Sequence, residues 1–217
     1  MSERPASTPT APTAPTAPRE IDFWFDFASN YSYLSVMRIE QAAAEAGVPV
    51  RWQPFLLGPV FERLGWSGPP FVVQKEKGAY VKRDMERLCA RYGLPWTWPS
   101  TFPRRALLPM RVAAFAASEP WIGAWCREIM QMNFAEDREI DTPEAVHEAL
   151  SRLGLPADEI VAAAQSDEHR SKLRTQTATA IERGIFGAPT FFVGDEMFWG
   201  NDRLEDVIAW AAGRTST

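Results

Sequence analysis

The chain is 217 residues long and 46% hydrophobic, with nine tryptophans and a formal net charge of −5 spread along its length. That is enough apolar material to build one packed domain, or one domain carrying a large insertion. The charge argues against a nucleic acid partner, and no apolar run approaches the ~20 residues that a membrane-spanning helix needs, so no membrane partner is expected.

Residues 1–18, MSERPASTPTAPTAPTAP, repeat Thr-Ala-Pro and lack an apolar h-region. They do not read as a secretory signal; the composition predicts a disordered tail leaning towards polyproline II. Residues 20–28, EIDFWFDFA, predict a mostly buried strand. A helix is expected over about 30–46, closed by Gly47 ahead of Pro49, and residues 50–55 read as a second strand. Strand, helix, strand makes a βαβ unit and hence a parallel pair.

A long helical stretch comes next. It opens with a short helix within 58–70 that stops at Pro69-Pro70, and a helix over 74–92 with Tyr80, Met85, Leu88 and Cys89 at helical spacing. After a proline-rich loop over 96–104, helices are expected at 105–118, 120–135, 143–153, 156–165 and 167–183. Thr142 is an N-cap before Pro143, a favoured first-turn residue, and Gly184 is a good helix stop. Residues 190–193 and 196–199 flank Gly194-Asp195, a hairpin signal. Asn201 is placed to cap a final helix over 202–212.

Neither strand pair could bury itself alone, so both ends of the chain are expected in one sheet. The order predicts an α/β, thioredoxin-like domain made of residues 19–57 and 185–213, with an all-helical insertion over 58–184. Ligands favour such junctions, so a cleft is expected between the two.

In a thioredoxin-like fold a C-x-x-C would sit at the first strand-to-helix turn. Here the turn is Ser29-Asn30-Tyr31-Ser32. A hydroxyl cannot shuttle disulfides, which excludes a dithiol oxidoreductase, but it can donate a hydrogen bond to another molecule's thiolate. Ser29 therefore has two readings, a plain N-cap and a group that stabilises a bound thiolate at a helix N-terminus. Asn30, Tyr31 and Ser32 follow as candidates, with Tyr31 and Tyr33 equally readable as core or cleft-wall aromatics. Pro189 after Gly187-Ala188 reads as the start of an edge strand or, in this fold, as a cis bond that offers the Ala188 backbone to a peptide-like ligand. Asn201 reads as a cap; Asp202 at a helix start could hold an ammonium group. Lys77 on its helix, and Arg104 and Arg105 after the loop, read as solvated charges, although an arginine there could hold a carboxylate. The two cysteines, Cys89 and Cys126, read as buried fillers in a reduced compartment, and with no secretory signal the expected location is cytoplasmic. His147 and His169 lie among Glu and Arg, and no clustered ligands suggest a metal.

FDFASNYSYL, residues 25–34, resembles the F-D-F-x-S-P-(F or Y)-S-Y-L opening of the 2-hydroxychromene-2-carboxylate isomerases, relatives of kappa-class glutathione transferases. GIFGAPTFFVGDEMFWGNDRL, residues 184–204, is similar to the family's closing motif; PFLLGPVF (54–61), KGAYVKRDMERL (77–88), GLP (93–95) and FP (102–103) are weaker matches. The resemblance spans about 20–213 and implies a DsbA-like fold, bound glutathione, a small aromatic substrate and a homodimer. It implies that Ser29 contacts the glutathione sulfur, that Ala188 and Pro189 pair with the cysteinyl backbone, that Asn201 and Asp202 hold the γ-glutamyl end, and that Lys77 lies beside the glycine carboxylate. Asn30 and Tyr31, the next residues of the turn after Ser29, are added to these as candidate glutathione-binding residues on their position alone. Two positions depart from the pattern: Asn30 stands where the family has proline, and Glu62 where it has lysine. The expected activity is a glutathione-dependent isomerisation of an aromatic conjugated 2-oxo acid such as 2-hydroxychromene-2-carboxylate. A kappa-class-like transferase or peroxidase and a non-catalytic thioredoxin-like binding protein are the alternatives.

Overall fold

The structure is a computed structural model and describes residues 18–66, 68 and 70–214. Apart from Pro18, the expected Thr/Ala/Pro tail lies outside the described residues. Four strands form one sheet: β1 (Ile21–Phe25), β2 (Val50–Pro54), β3 (Thr190–Val193) and β4 (Glu196–Trp199), in the order β2-β1-β3-β4. β1 pairs parallel with β2, Ile21 opposite Val50, and antiparallel with β3, Phe23 opposite Phe191; β3 and β4 form the expected hairpin. The two ends of the chain thus share the sheet, and β1, buried at every position, lies inside it.

Alternation along β1 divides its side chains between the two faces of the sheet. Ile21, Phe23 and Phe25 join Phe191 and Val193 in the larger core, with Phe23 stacked on Phe191 at 5.2 Å. Trp24 and Phe192 point the other way, against Phe55, Val60, Phe61, Ala180 and Ile185.

The helices are α1 (Asn30–Val36), α2 (Ile39–Glu45), α3 (Leu57–Arg63), α4 (Pro70–Val73), α5 (Lys75–Tyr92), α6 (Leu107–Ala116), α7 (Ile122–Phe134), α8 (Pro143–Arg152), α9 (Ala157–Ala164), α10 (Asp167–Glu182) and α11 (Leu204–Ala211). Buried residues of α6, α7 and α8, such as Met110, Trp125 and Val146, join the same cluster as Phe23 and Leu34. Thr142 caps α8 by accepting the Ala145 N–H at 3.2 Å, with Pro143 at the first helical position. Gly184 closes α10 at φ +76°, a backbone conformation that favours glycine. Cys89 and Cys126 are free and buried, as expected of fillers; burial pushes the Cys89 thiol up to about 12 and raises that of Cys126 as well.

Three expectations need correction. The single helix over 30–46 is two, α1 and α2, broken at Met37 and Arg38. At the break the Arg38 guanidinium lies 3.7 Å over the Tyr92 ring, donates to Asn201 Oδ1 at 3.2 Å and pairs with Glu205, partners remote in sequence that hold this turn. Asn201 is not a cap: a short 3-10 turn (Asn201–Arg203) precedes α11, and the buried Asn201 Oδ1 accepts from Ser35 Oγ at 3.1 Å as well as from Arg38. Arg104 is not solvated. It is buried, donating to Asn133 Oδ1 at 3.0 Å and to Asp137 Oδ1 at 2.7 Å, and the Asn133 amide donates on to the Phe27 carbonyl at 3.0 Å. This pairing is what makes the burial of the charge tolerable.

Candidate active site

β1 ends at Phe25, and the turn after it places Ser29 at the N-cap of α1 with an extended backbone, φ −90° and ψ 116°. The Ser29 hydroxyl accepts the Ser32 N–H at 3.1 Å, the capping bond, and donates to the Ala188 carbonyl at 2.9 Å. Both the local reading and a link to the 186–189 segment are therefore realised in one side chain. The Ala188–Pro189 bond is cis. Pro189 itself is buried, and its carbonyl accepts the Gly200 N–H at 3.0 Å.

Asp26 holds the turn from below. One carboxylate oxygen accepts the Ala28 N–H at 2.9 Å and the other the Leu57 N–H at 2.8 Å, which ties the end of β1 to the first turn of α3. Burial pushes its pKa up to about 6, against the opposing pull of those two N–H groups.

These groups line a cavity of about 740 Å³ bounded by the start of α1, by α3 and α5, by residues 103–107 and by the 186–188 segment. Ser29, Asn30, Tyr31, Lys77 and Ala188 all contribute to it. Pro189, Asn201 and Asp202 do not; Asp202 is exposed beside Arg203 at 3.1 Å, close enough to Tyr31 for its charge to raise the phenol pKa. Burial is the larger cause of that rise, and the hydrogen bond from Tyr31 to Asp84 at 3.0 Å adds to it. Tyr33 belongs to the core, its hydroxyl donating to the Pro95 carbonyl at 2.6 Å and its ring 5.5 Å from Phe134. Asn30 is fully buried, and neither its amide oxygen nor its nitrogen has a hydrogen-bond partner among the described residues.

A family model described as a DSBA-like thioredoxin domain matches residues 20–209. The 2-hydroxychromene-2-carboxylate isomerase of Pseudomonas putida is 31% identical over 85% of this chain and 90% of its own length. The chain belongs to the 2-hydroxychromene-2-carboxylate isomerase family of DSBA-like thioredoxin proteins. A solved structure of a 2-hydroxychromene-2-carboxylate isomerase superposes on it with a TM-score of 0.81 at 30% identity, over 90% of this chain and 95% of that one. Glutathione S-transferase kappa 2 of Caenorhabditis elegans is 28% identical over 88% of this chain and 91% of its own length. Like its relatives in the isomerase family, this chain is an enzyme.

Two features of this site carry no functional reading in the sequence alone, although their residues fall within the matched motifs. One is Asp26, the Asp of FDFASNYSYL, which stands immediately after an all-buried strand and there reads as part of it. The other is a pair of aromatic walls, Phe61 with Trp66 at 5.4 Å and Phe186 with Trp199 at 4.8 Å, brought to one cavity from distant parts of the chain. The second wall depends on Gly187: a Cβ there would lie 2.5 Å from Trp199 Nε1. Gly187→Ala is expected to displace the Trp199 ring and to destabilise the fold by about 1–3 kcal/mol, the usual range for overpacking. Urea denaturation checks the second effect and tryptophan fluorescence the first; an unchanged midpoint with unchanged emission would contradict the role given to Gly187.

Proposed function

We propose that the chain is a glutathione-dependent isomerase acting on an aromatic conjugated 2-oxo acid of the 2-hydroxychromene-2-carboxylate type. The observation that carries this reading is the Ser29 hydroxyl, hydrogen-bonded to the Ala188 carbonyl at the cavity where a redox thioredoxin would need a cysteine pair. Such a site can hold a thiolate and cannot supply one. The residues present fit glutathione: a polar hydroxyl for its sulfur, a backbone carbonyl for its amide, and a cavity of about 740 Å³ with Lys77 on its lining. The kappa-class relative, named a glutathione transferase, supports the same cofactor.

Bound there, glutathione would supply a nucleophilic thiolate for reversible addition to the conjugated system, the chemistry that frees rotation about its double bond. The protein does the rest. Ser29 donates to the sulfur and favours its anionic form, each pKa unit of lowering corresponding to ~1.4 kcal/mol. Ala188 receives the cysteinyl amide and Pro189 fixes the segment that presents it. Lys77 receives the glycine carboxylate; Tyr31 and Asn30 border the sulfur from the first turn of α1. Asp202 holds the ammonium end, and Asn201 acts through the turn that it anchors to Ser35 and Arg38. The aromatic walls exclude water from the substrate ring.

Isomerisation of an aromatic 2-oxo acid, followed with and without glutathione, tests the reading; turnover independent of glutathione would refute it. Lys77→Ala is expected to raise the KM for glutathione about tenfold, the size of one lost charge-assisted hydrogen bond, and an unchanged KM would remove Lys77 from the site. The kappa-class likeness favours a second reading, glutathione transfer to an electrophile. It predicts conjugation of chlorodinitrobenzene faster than isomerisation in a side-by-side assay. Cytoplasmic residence, supported by two unpaired buried cysteines, and a homodimer complete the proposal.

A further inference from the structure

The Ser29 hydroxyl carries one proton, and that proton is already engaged. A carbonyl has nothing to donate, so in the 2.9 Å bond to Ala188 it is Ser29 that donates, while its oxygen accepts from the Ser32 N–H. The hydroxyl cannot give the same proton to a sulfur. Turning it towards a ligand would strip the Ala188 oxygen of its partner in a half-buried position, an unfavourable exchange. The neighbouring carbonyls are held by the fold itself: Gly187 accepts from the Thr190 hydroxyl at 2.8 Å and Pro189 from the Gly200 N–H at 3.0 Å. Gly187 and Ala188 both line the cavity, but among the described residues the Ala188 carbonyl accepts from Ser29 alone.

We propose that the Ala188 carbonyl is a positioning group that keeps the Ser29 proton until a thiol ligand's own amide N–H takes its place. The inference rests on the glutathione reading above and goes beyond it. When the amide donates to Ala188, the Ser29 O–H re-aims at the sulfur, and the thiol proton leaves to solvent. Activation is therefore coupled to recognition of peptide backbone. The site selects N-acylated cysteine thiols, whose amide lies next to the thiol-bearing carbon, and gives little to simple alkyl thiols even where they fit.

The test compares glutathione with an analogue in which the γ-glutamyl-cysteine amide N–H is replaced by an ester oxygen, each bound to the full wild-type chain. Thiolate absorbance is titrated for each ligand bound and free. Glutathione is expected to show a thiol pKa at least one pH unit lower when bound, a tenfold gain in thiolate, and the ester analogue less than a third of that lowering. In Ser29→Ala the two ligands should show the same small change; the wild-type comparison stands without this variant. Equal lowering of both thiols in the wild type would overturn the coupling while leaving the glutathione reading intact. Failure of glutathione to bind, or binding with no lowering at all, would overturn both.

Discussion

Replacing Ser29 by alanine is expected to lower kcat about a hundredfold, the effect typical of removing one hydrogen-bond donor from a developing anion. Two consequences are mixed in that variant. The hydroxyl caps α1 through Ser32, so its loss also destabilises the fold by about 1 kcal/mol. It also bridges to Ala188, so the 186–189 segment loses a tie to the start of α1. Ser29→Gly relieves the capping loss, because glycine at an N-cap costs only a few tenths of a kcal/mol, while giving up the tie to Ala188 as alanine does. If Ser29 acts on the thiolate, the glycine variant keeps a higher denaturation midpoint than the alanine variant and loses activity to the same extent. The activity of both should recover at higher pH, where the bound thiol ionises without help. A glycine variant with wild-type turnover at neutral pH would reduce Ser29 to a cap.

Much of this arrangement is written in local sequence, and the exceptions share one cause. The aromatic run of β1, the Gly194-Asp195 hairpin and the Thr142-Pro143 helix start depend on neighbours a few residues away, and each forms where its pattern places it. Ser29 is legible as a cap for the same reason. Its bond to Ala188 joins positions 159 apart; the thioredoxin-like order and the family resemblance both point to that segment as a ligand contact, and neither points to the bond with Ser29. Asn201 looks like a cap because it stands at the mouth of a helix, whereas its oxygen is claimed by Ser35 and Arg38, more than 160 positions back. Arg104 misleads in the same way: its own segment is polar, and only the fold brings Asn133 and Asp137 to it. Asp26 lies in a segment that reads plainly as strand, but its role depends on the N–H of Leu57, the first residue of a helix 31 positions on. Local spacing reveals elements; it cannot reveal which distant donor completes a buried acceptor.

Asp26 yields the second large expected effect, a dependence of stability on pH. Its folded pKa is raised from 3.8 to about 6, and burial is the main cause. Between those values the native state binds more protons at this site than the unfolded chain does, so stability falls as pH rises through the window. The loss amounts to about 3 kcal/mol, since each pH unit between the two values contributes about 1.4 kcal/mol. Other carboxylates act with the opposite sign and at lower pH: Glu148 is held at about 2, chiefly by its hydrogen bond to Arg138, and Asp137 is lowered chiefly by Arg104. Subtracting the Asp26→Asn variant from the wild type removes these shared contributions. The variant also loses one acceptor, since an NH2 group must face the N–H of either Ala28 or Leu57, at about 1–3 kcal/mol independent of pH. Urea unfolding of both proteins between pH 4 and 7 should therefore show the variant gaining about 3 kcal/mol relative to wild type as pH rises. A difference that stays flat across that range would mean the carboxylate is not desolvated in the folded chain. The floor of the cavity would then have to be arranged differently, because the bonds that bury Asp26 are the ones that set α3, with Phe61 and its aromatic wall, against the turn carrying Ser29.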